Sequence, residues 1–249
     1  GETHVSNDIV NWQEEMERMA QAQAMLERPQ VSSISLKSGV MSYQDVPIPG
    51  NSLECVIVAS VFENKWFEGR YDPTKVAIPS CFALSEDGVA RAPHDASLLK
   101  QNDKCEGCPM DEWGSAGDGR RGKACRQTRK LALIPLADVK SDMVAKAPLA
   151  LLALPVTSVA NWKKYVQQSS AAFARPTFGI FTRVSVVPHI KNQFEVKFEP
   201  LGAVESEKIL GDLYKKHQYG LEVLMRPYEP SEEEAAKAAK QPPQKGKKF

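Results

Sequence analysis

One cluster in this chain has a spacing that implies a defined chemistry. Residues 105 to 125 read CEGCPMDEWGSAGDGRRGKAC. In Cys105-x2-Cys108 a tight turn aims two thiolates at one ion, and Cys125 returns to them across a glycine-rich loop. Three soft sulfur ligands select zinc over magnesium or calcium, and a structural zinc takes four ligands. Two upstream residues compete for the fourth place. His94, in the loop-like Ala-Pro-His-Asp, lies close enough in sequence that closure costs little entropy, and it is the simpler choice. Cys81 opens the apolar run Cys-Phe-Ala-Leu, where a strand end can hand a thiolate to an adjoining loop. Cys55 sits inside an apolar run and reads as core. A redox role for Cys-x2-Cys calls for a helix start in a βαβ setting, which the surrounding sequence lacks. No His-x-Glu or His-Glu-x2-His pattern supplies a base beside the metal, so one structural zinc per chain is expected.

The same stretch is cationic. Arg120, Arg121, Lys123, Arg126, Arg129 and Lys130 fall within eleven residues that contain no acid, the local density that phosphate contact needs. Gly117, Gly119 and Gly122 would let the loop approach a backbone closely. The alternative is a solvated loop whose charges balance Asp111, Glu112 and Asp118. Tyr43, Trp66, Phe67, Tyr71 and Trp113 lie in polar or turn-like segments, where aromatics beside cations can stack unpaired bases at ~1–3 kcal/mol per base. Phe181 and Arg183, on a strand with one exposed face, are further candidates. There is no phosphate loop, no Gly-x-Ser-x-Gly elbow and no dinucleotide fingerprint, so a binding protein is expected rather than an enzyme.

The elements that must carry these residues are mostly short. An amphipathic helix is expected from about Asn7 to Arg28, capped by Asn7 or Asp8 and ended by Pro29. Its stripe of Ile9, Val10, Trp12, Met16, Met19 and Ala20 is expected to pack on the core. β-type runs follow at 31–36, 40–43, 53–62, 76–84, 131–136, 149–154, 178–187 and 194–201, with helices at 158–172 and 205–219. The predicted fold is therefore mainly β with flanking helices (α+β), an oligonucleotide-binding (OB) barrel-like core with an inserted zinc knuckle. Its expected parts are an N-terminal helix at 1–30, a β-rich domain at 31–203 with the zinc-binding insertion at about 85–130, a C-terminal helix at 204–229 and a mobile tail at 230–249 with helical character from Ser231 to Lys240.

Composition leaves that reading open. Of 249 residues, 42% are hydrophobic and 25% charged, as in ordinary globular chains. A net charge of +1 from 32 basic and 31 acidic residues favours no polyanion globally, so only local clustering is informative. No long apolar run or charged leader is present, and the odd, unevenly spread cysteines do not form a secreted disulfide framework. A soluble intracellular protein without membrane contact is expected.

Several stretches resemble a group of uncharacterised tailed-bacteriophage proteins. They are Asn11-Trp12, Arg28-Pro29, Ile34-Ser35-Leu36-Lys37, Pro49-Gly50-Asn51, Phe67-Glu68-Gly69, Tyr71-Asp72-Pro73, Cys81-Phe82-Ala83-Leu84, Pro93-His94, the cysteine loop through Arg129, Leu154-Pro155-Val156-Thr157-Ser158 and Ile180 to Pro188. The resemblance implies a role near phage single-stranded DNA-binding proteins, with single-stranded DNA or RNA as ligand and replication or recombination proteins as partners. It places the chain in the cytoplasm of the infected host. A zinc loop in a barrel is also similar to the T-even phage single-stranded DNA-binding proteins, with three cysteines and one histidine. Many such proteins end in an acidic tail, whereas residues 231–249 carry three acids and five lysines.

If metal binding is part of folding, Cys108→Ser lowers zinc content and melting temperature together. Elemental analysis with thermal denaturation checks this, and an unchanged melting profile would mean that no structural metal is held there.

Overall fold

The computed structural model describes residues 11–69, 74, 77–140 and 142–240. In chain order these form α1 (Trp12–Glu27), β1 (Val31–Ser35), β2 (Ser42–Tyr43), β3 (Val46–Pro47), β4 (Ser52–Trp66), β5 (Cys81–Ser85), β6 (Arg126–Pro135), β7 (Leu149–Ala153), α2 (Val159–Phe173), β8 (Ile180–His189), β9 (Gln193–Ala203), α3 (Glu207–Leu224) and α4 (Glu232–Ala239). The chain is mainly β, a curled mixed sheet forming a half-barrel with helices around it. Strand order is β3-β2-β1-β7-β6-β4-β8-β9, with β5 on β4. β1 runs parallel to β7, and the other pairings are antiparallel.

β4 is the axis of the sheet. One edge pairs with β6 along most of its length, and the other pairs with β8 from Ser52 to Val56 and with β5 from Phe62 to Trp66. Cys55 and Ile57 join a core under α2 that contains Leu131, Leu133, Trp162, Tyr165 and Val184. Val56 and Val58 join a second core under α3 with Ile134, Leu149, Leu213 and Leu224. A β-bulge between Ile57 and Ala59 then reverses the alternation, so that Ala59 and Val61 also face α3. The bulge leaves carbonyls that no strand takes up. Thr177 Oγ1 donates to the Ile57 carbonyl at 2.8 Å, and the His217 Nδ1–H donates to the Val58 carbonyl at 2.7 Å. Beside it, Gly220 brings α3 onto the sheet so closely that a Cβ there would stand 3.0 Å from the Ala59 methyl.

α1 departs from expectation. Its stripe is exposed rather than core-packed, with Trp12 68% and Leu26 85% exposed and Met16 and Met19 also open. Helical periodicity shows that one face is apolar; it does not say that the same chain covers it. The link to the body comes just after the helix, where the Arg28 guanidinium donates twice to the buried Asp138 carboxylate, at 3.2 and 3.0 Å. Asn11 Oδ1 accepts from the Gln13 and Glu14 N–H groups at the helix start, whereas the expected caps Asn7 and Asp8 and the apolar Ile9 and Val10 lie outside the described residues.

Two further differences bear on the site. β6 begins at Arg126 rather than Leu131, and β5 occupies only the end of the run expected at 76–84. α3 packs on β4 and β6 and so belongs to the core of the sheet. In the expected tail, α4 forms with a capping box on Ser231, and 241–249 lie outside the described residues. Among the described residues no helix is long and apolar enough to cross a membrane.

His217→Ala strands the Val58 carbonyl under α3 and lowers stability by about 1–3 kcal/mol. Urea denaturation measures it; an unchanged midpoint would mean that water satisfies the bulge.

Candidate metal centre and nucleic-acid surface

The cysteine loop is fastened to the sheet at both ends. The β5 register sets Cys81 opposite Trp66 at the end of β4. After β5 the chain turns back along it: His94 N–H donates to the Phe82 carbonyl at 2.7 Å, the Ser97 hydroxyl bridges Phe82, and Leu99 N–H donates to Ser80 at 2.9 Å. Cys105 N–H donates to Arg91 at 3.0 Å. The Cys105-x2-Cys108 turn is closed by Cys108 N–H on the Cys105 carbonyl at 3.2 Å, with Gly107 at φ +76, a left-handed conformation that favours glycine. Cys125 N–H returns to Met110 at 2.8 Å just before β6 begins.

These constraints gather four thiols. Cys81, Cys105, Cys108 and Cys125 share the wall of one cavity of about 20 Å³ with Asn64, Trp66 and Asp111. That is room for about one water-sized occupant and far too little for a base. Burial, with a smaller contribution from the neighbouring cysteines, pushes the Cys105 thiol up to about 11 and Cys125 up to about 12. Burial also raises Cys81, with Cys108 adding to it. All are free thiols. Among the described residues, no group of three or more His, Cys, Asp or Glu side chains is placed so that it could hold a metal ion; the four thiols share a cavity wall without forming a closed site.

The two candidates for the fourth ligand part company here. Cys81 lines the cavity and His94 does not. The His94 ring stacks on Phe82 at 5.1 Å, and its Nδ1 accepts from the Ala96 N–H at 3.0 Å. Cys55 is wholly buried in the α2 core, as its apolar context implied.

The six cations divide by element. Because β6 starts at Arg126, the last three lie on a strand, and the neighbours each one meets there set its environment. Arg126 is exposed. Arg129 is buried, its guanidinium 3.7 Å from the Phe62 ring centroid and donating to the Thr128 carbonyl at 3.1 Å. Lys130 is largely covered and lies 3.8 Å from the Glu63 carboxylate, with burial lowering its pKa. Glu63 is 0% exposed, accepts from the Tyr228 hydroxyl at 2.6 Å and has Lys65 at 3.4 Å. Arg129 and Lys130, expected on a phosphate surface, are thus committed to Phe62 and Glu63. Sequence reasoning missed Glu63, Lys65 and Tyr228; an acid directly following the apolar run that ends in Val61-Phe62 was the available signal.

Trp113 and the first three cations sit on an ordered hairpin. Gly114 N–H donates to the Arg121 and Gly122 carbonyls at 3.1 Å each, Ala116 N–H to Gly122 at 3.1 Å, and Ala124 N–H to the Ser115 hydroxyl at 2.8 Å. The hairpin presents Trp113 at 79% exposure, with the Lys123 ammonium 5.2 Å from its ring centroid. Lys123 is also paired with Asp111 at 3.1 Å, and Arg120 with Asp118 at 3.7 Å, so part of the charge is balanced within the loop. Arg121 is exposed. Trp66 is half-buried on the cavity wall, Phe67 is half-buried, and Tyr71 lies outside the described residues. Of the further candidates, Phe181 is half-buried against the α3 core and Arg183 bridges Glu54 and Glu199 at 2.9 Å each. No protein-family model, no curated protein and no solved structure matches the chain.

Arg129→Ala removes a buried cation from the Phe62 face and lowers stability by about 1–3 kcal/mol, while Arg126→Ala leaves stability within about 0.5 kcal/mol. Equal effects in thermal denaturation would mean that Arg129 is open to solvent.

Proposed function

We propose that this protein is a non-enzymatic, sequence-tolerant single-stranded nucleic-acid-binding protein, with one structural zinc ordering the loop that meets the strand. One observation carries the reading: Trp113, a large aromatic with 79% of its surface open, is held on a tightly bonded hairpin among Arg120, Arg121 and Lys123. Exposing an indole costs solvation free energy, and an exposed, ordered indole among cations is the arrangement that stacks bases and holds phosphates. Arg126, at the start of β6, is exposed beside its cross-strand neighbour Lys65, whose ammonium is engaged by the Glu63 carboxylate at 3.4 Å. Arg126 thus extends the phosphate track from the hairpin onto the sheet.

The curled half-barrel supports an oligonucleotide-binding type of core as the finer description of the fold. The resemblance to phage proteins supports a setting in replication or recombination inside an infected cell. A second reading, docking to a phage or host protein, is favoured by the exposed apolar stripe of α1.

Fluorescence anisotropy with labelled single-stranded DNA, single-stranded RNA and duplex DNA tests the proposal at two salt concentrations. Trp113→Ala weakens single-strand binding by ~1–3 kcal/mol with little change in salt slope. Replacing Arg120, Arg121 and Arg126 together by alanine makes the slope shallower by roughly 0.7 per lost phosphate contact. Equal affinity and slope in all variants would remove the nucleic-acid reading and leave the docking reading in its place.

A further inference from the structure

The zinc proposed above leaves its ligand set open. We infer that Cys81, Cys105, Cys108 and Cys125 form a single tetrathiolate zinc site, in which Cys81 fastens the first residue of β5 to the loop that carries Trp113. The inference rests on the metal part of the proposed function and is independent of strand binding.

Three observations carry it. The four thiols line one cavity with room for about one small occupant, and none is used in a disulfide. Their backbones are held before any metal arrives: Cys81 by pairing with Trp66, Cys105 and Cys108 by their glycine-containing turn, and Cys125 by its bond to Met110. The carboxylate among the lining residues, Asp111, already accepts from Lys123 at 3.1 Å and Gln127 at 2.6 Å, so it supports the wall of the site. His94 has its Nδ1 and one ring face engaged elsewhere. Four soft anionic donors match zinc and exclude magnesium and calcium. As zinc enters, each thiol gives up its proton to solvent and donates a lone pair to the ion, with no change of oxidation state.

The site would join the sheet to a long loop with little apolar burial of its own, since the hairpin from Trp113 to Arg121 is largely exposed. Closing such a loop costs entropy, and a metal that bridges both ends offsets it.

Cobalt(II) titration of the full, reduced chain, with no nucleic acid present, tests the ligand set. Sulfur-to-cobalt charge-transfer intensity counts thiolates, and the visible bands report tetrahedral geometry. The parent takes up one cobalt with a four-thiolate tetrahedral spectrum. His94→Ala keeps that spectrum. Cys81→Ser loses one thiolate's share of the intensity and, in competition with a chelator, more than about tenfold in affinity, the loss that removing even an outer-shell partner brings. Cys81→His, which keeps a donor at the position, covers the case in which the serine variant fails to fold: it retains tetrahedral cobalt with three-thiolate intensity. An unchanged spectrum in the Cys81 variants, loss of cobalt in His94→Ala, or cysteines found as disulfides without metal would each overturn the assignment. Lost strand binding with an intact spectrum would overturn only the nucleic-acid reading.

Discussion

Strand β4 has to serve two cores at once, and the bulge at Val58 is how it does so. A fifteen-residue strand with strict alternation would send Ala59, Val61 and Glu63 to the side of α2. The extra residue reverses them, which brings Ala59 against Gly220 and Glu63 to Tyr228, beyond the end of α3. That reversal has a local cost in unpaired carbonyls, and Thr177 and His217 meet it from outside the sheet. His217 appears isolated in sequence because its partner is a main-chain atom far away in the chain.

Charge around the loop follows from the same reversal. The end of β4 puts Glu63 and Lys65 on one face and Phe62, Asn64 and Trp66 on the other. On the first, a fully buried carboxylate gathers Lys65, Lys130 and the Tyr228 hydroxyl, because an uncompensated ion there would cost several kcal/mol, on the order of its desolvation. On the second, Phe62 carries Arg129 at 3.7 Å and Arg91 at 5.4 Å, and Arg91 donates to Asn64 at 2.8 Å. Gly88 permits the turn that packs there, at φ +77 and with no room for a Cβ beside the Phe62 ring. What stays open to solvent is a smaller set, Trp113, Arg120, Arg121 and Arg126. Two of the six cations are taken up by Phe62 and Glu63, and the hairpin holds the exposed tryptophan in place.

Much was legible from sequence. The β texture, the helices near 158–172 and 205–219 and the Cys-x2-Cys turn each rest on local chemistry: alternation, helical periodicity and a glycine at the third position of a four-residue turn. The run from Arg126 to Lys130 was harder. Its charge masked its strand character, because cations are rare on covered strand faces and become stable there only through partners such as Phe62 and Glu63.

By itself, then, the sequence determined which segments extend and which coil, and that three cysteines of one loop converge. Only the tertiary structure decided which upstream residue joins them: Cys81 reaches the cavity because β5 pairs with the far end of β4, a contact between segments separated by a loop. It also decided which cations face solvent: Arg126 and Lys130 share one face of β6, yet Lys130 is covered beside Glu63 and Tyr228 while Arg126, at the start of the strand, is exposed. α1 shows the converse. Its periodicity is plain in the sequence, yet no part of the described chain folds over Trp12, Met16, Met19 and Leu26, because an apolar stripe is covered only where chain geometry brings a partner to it.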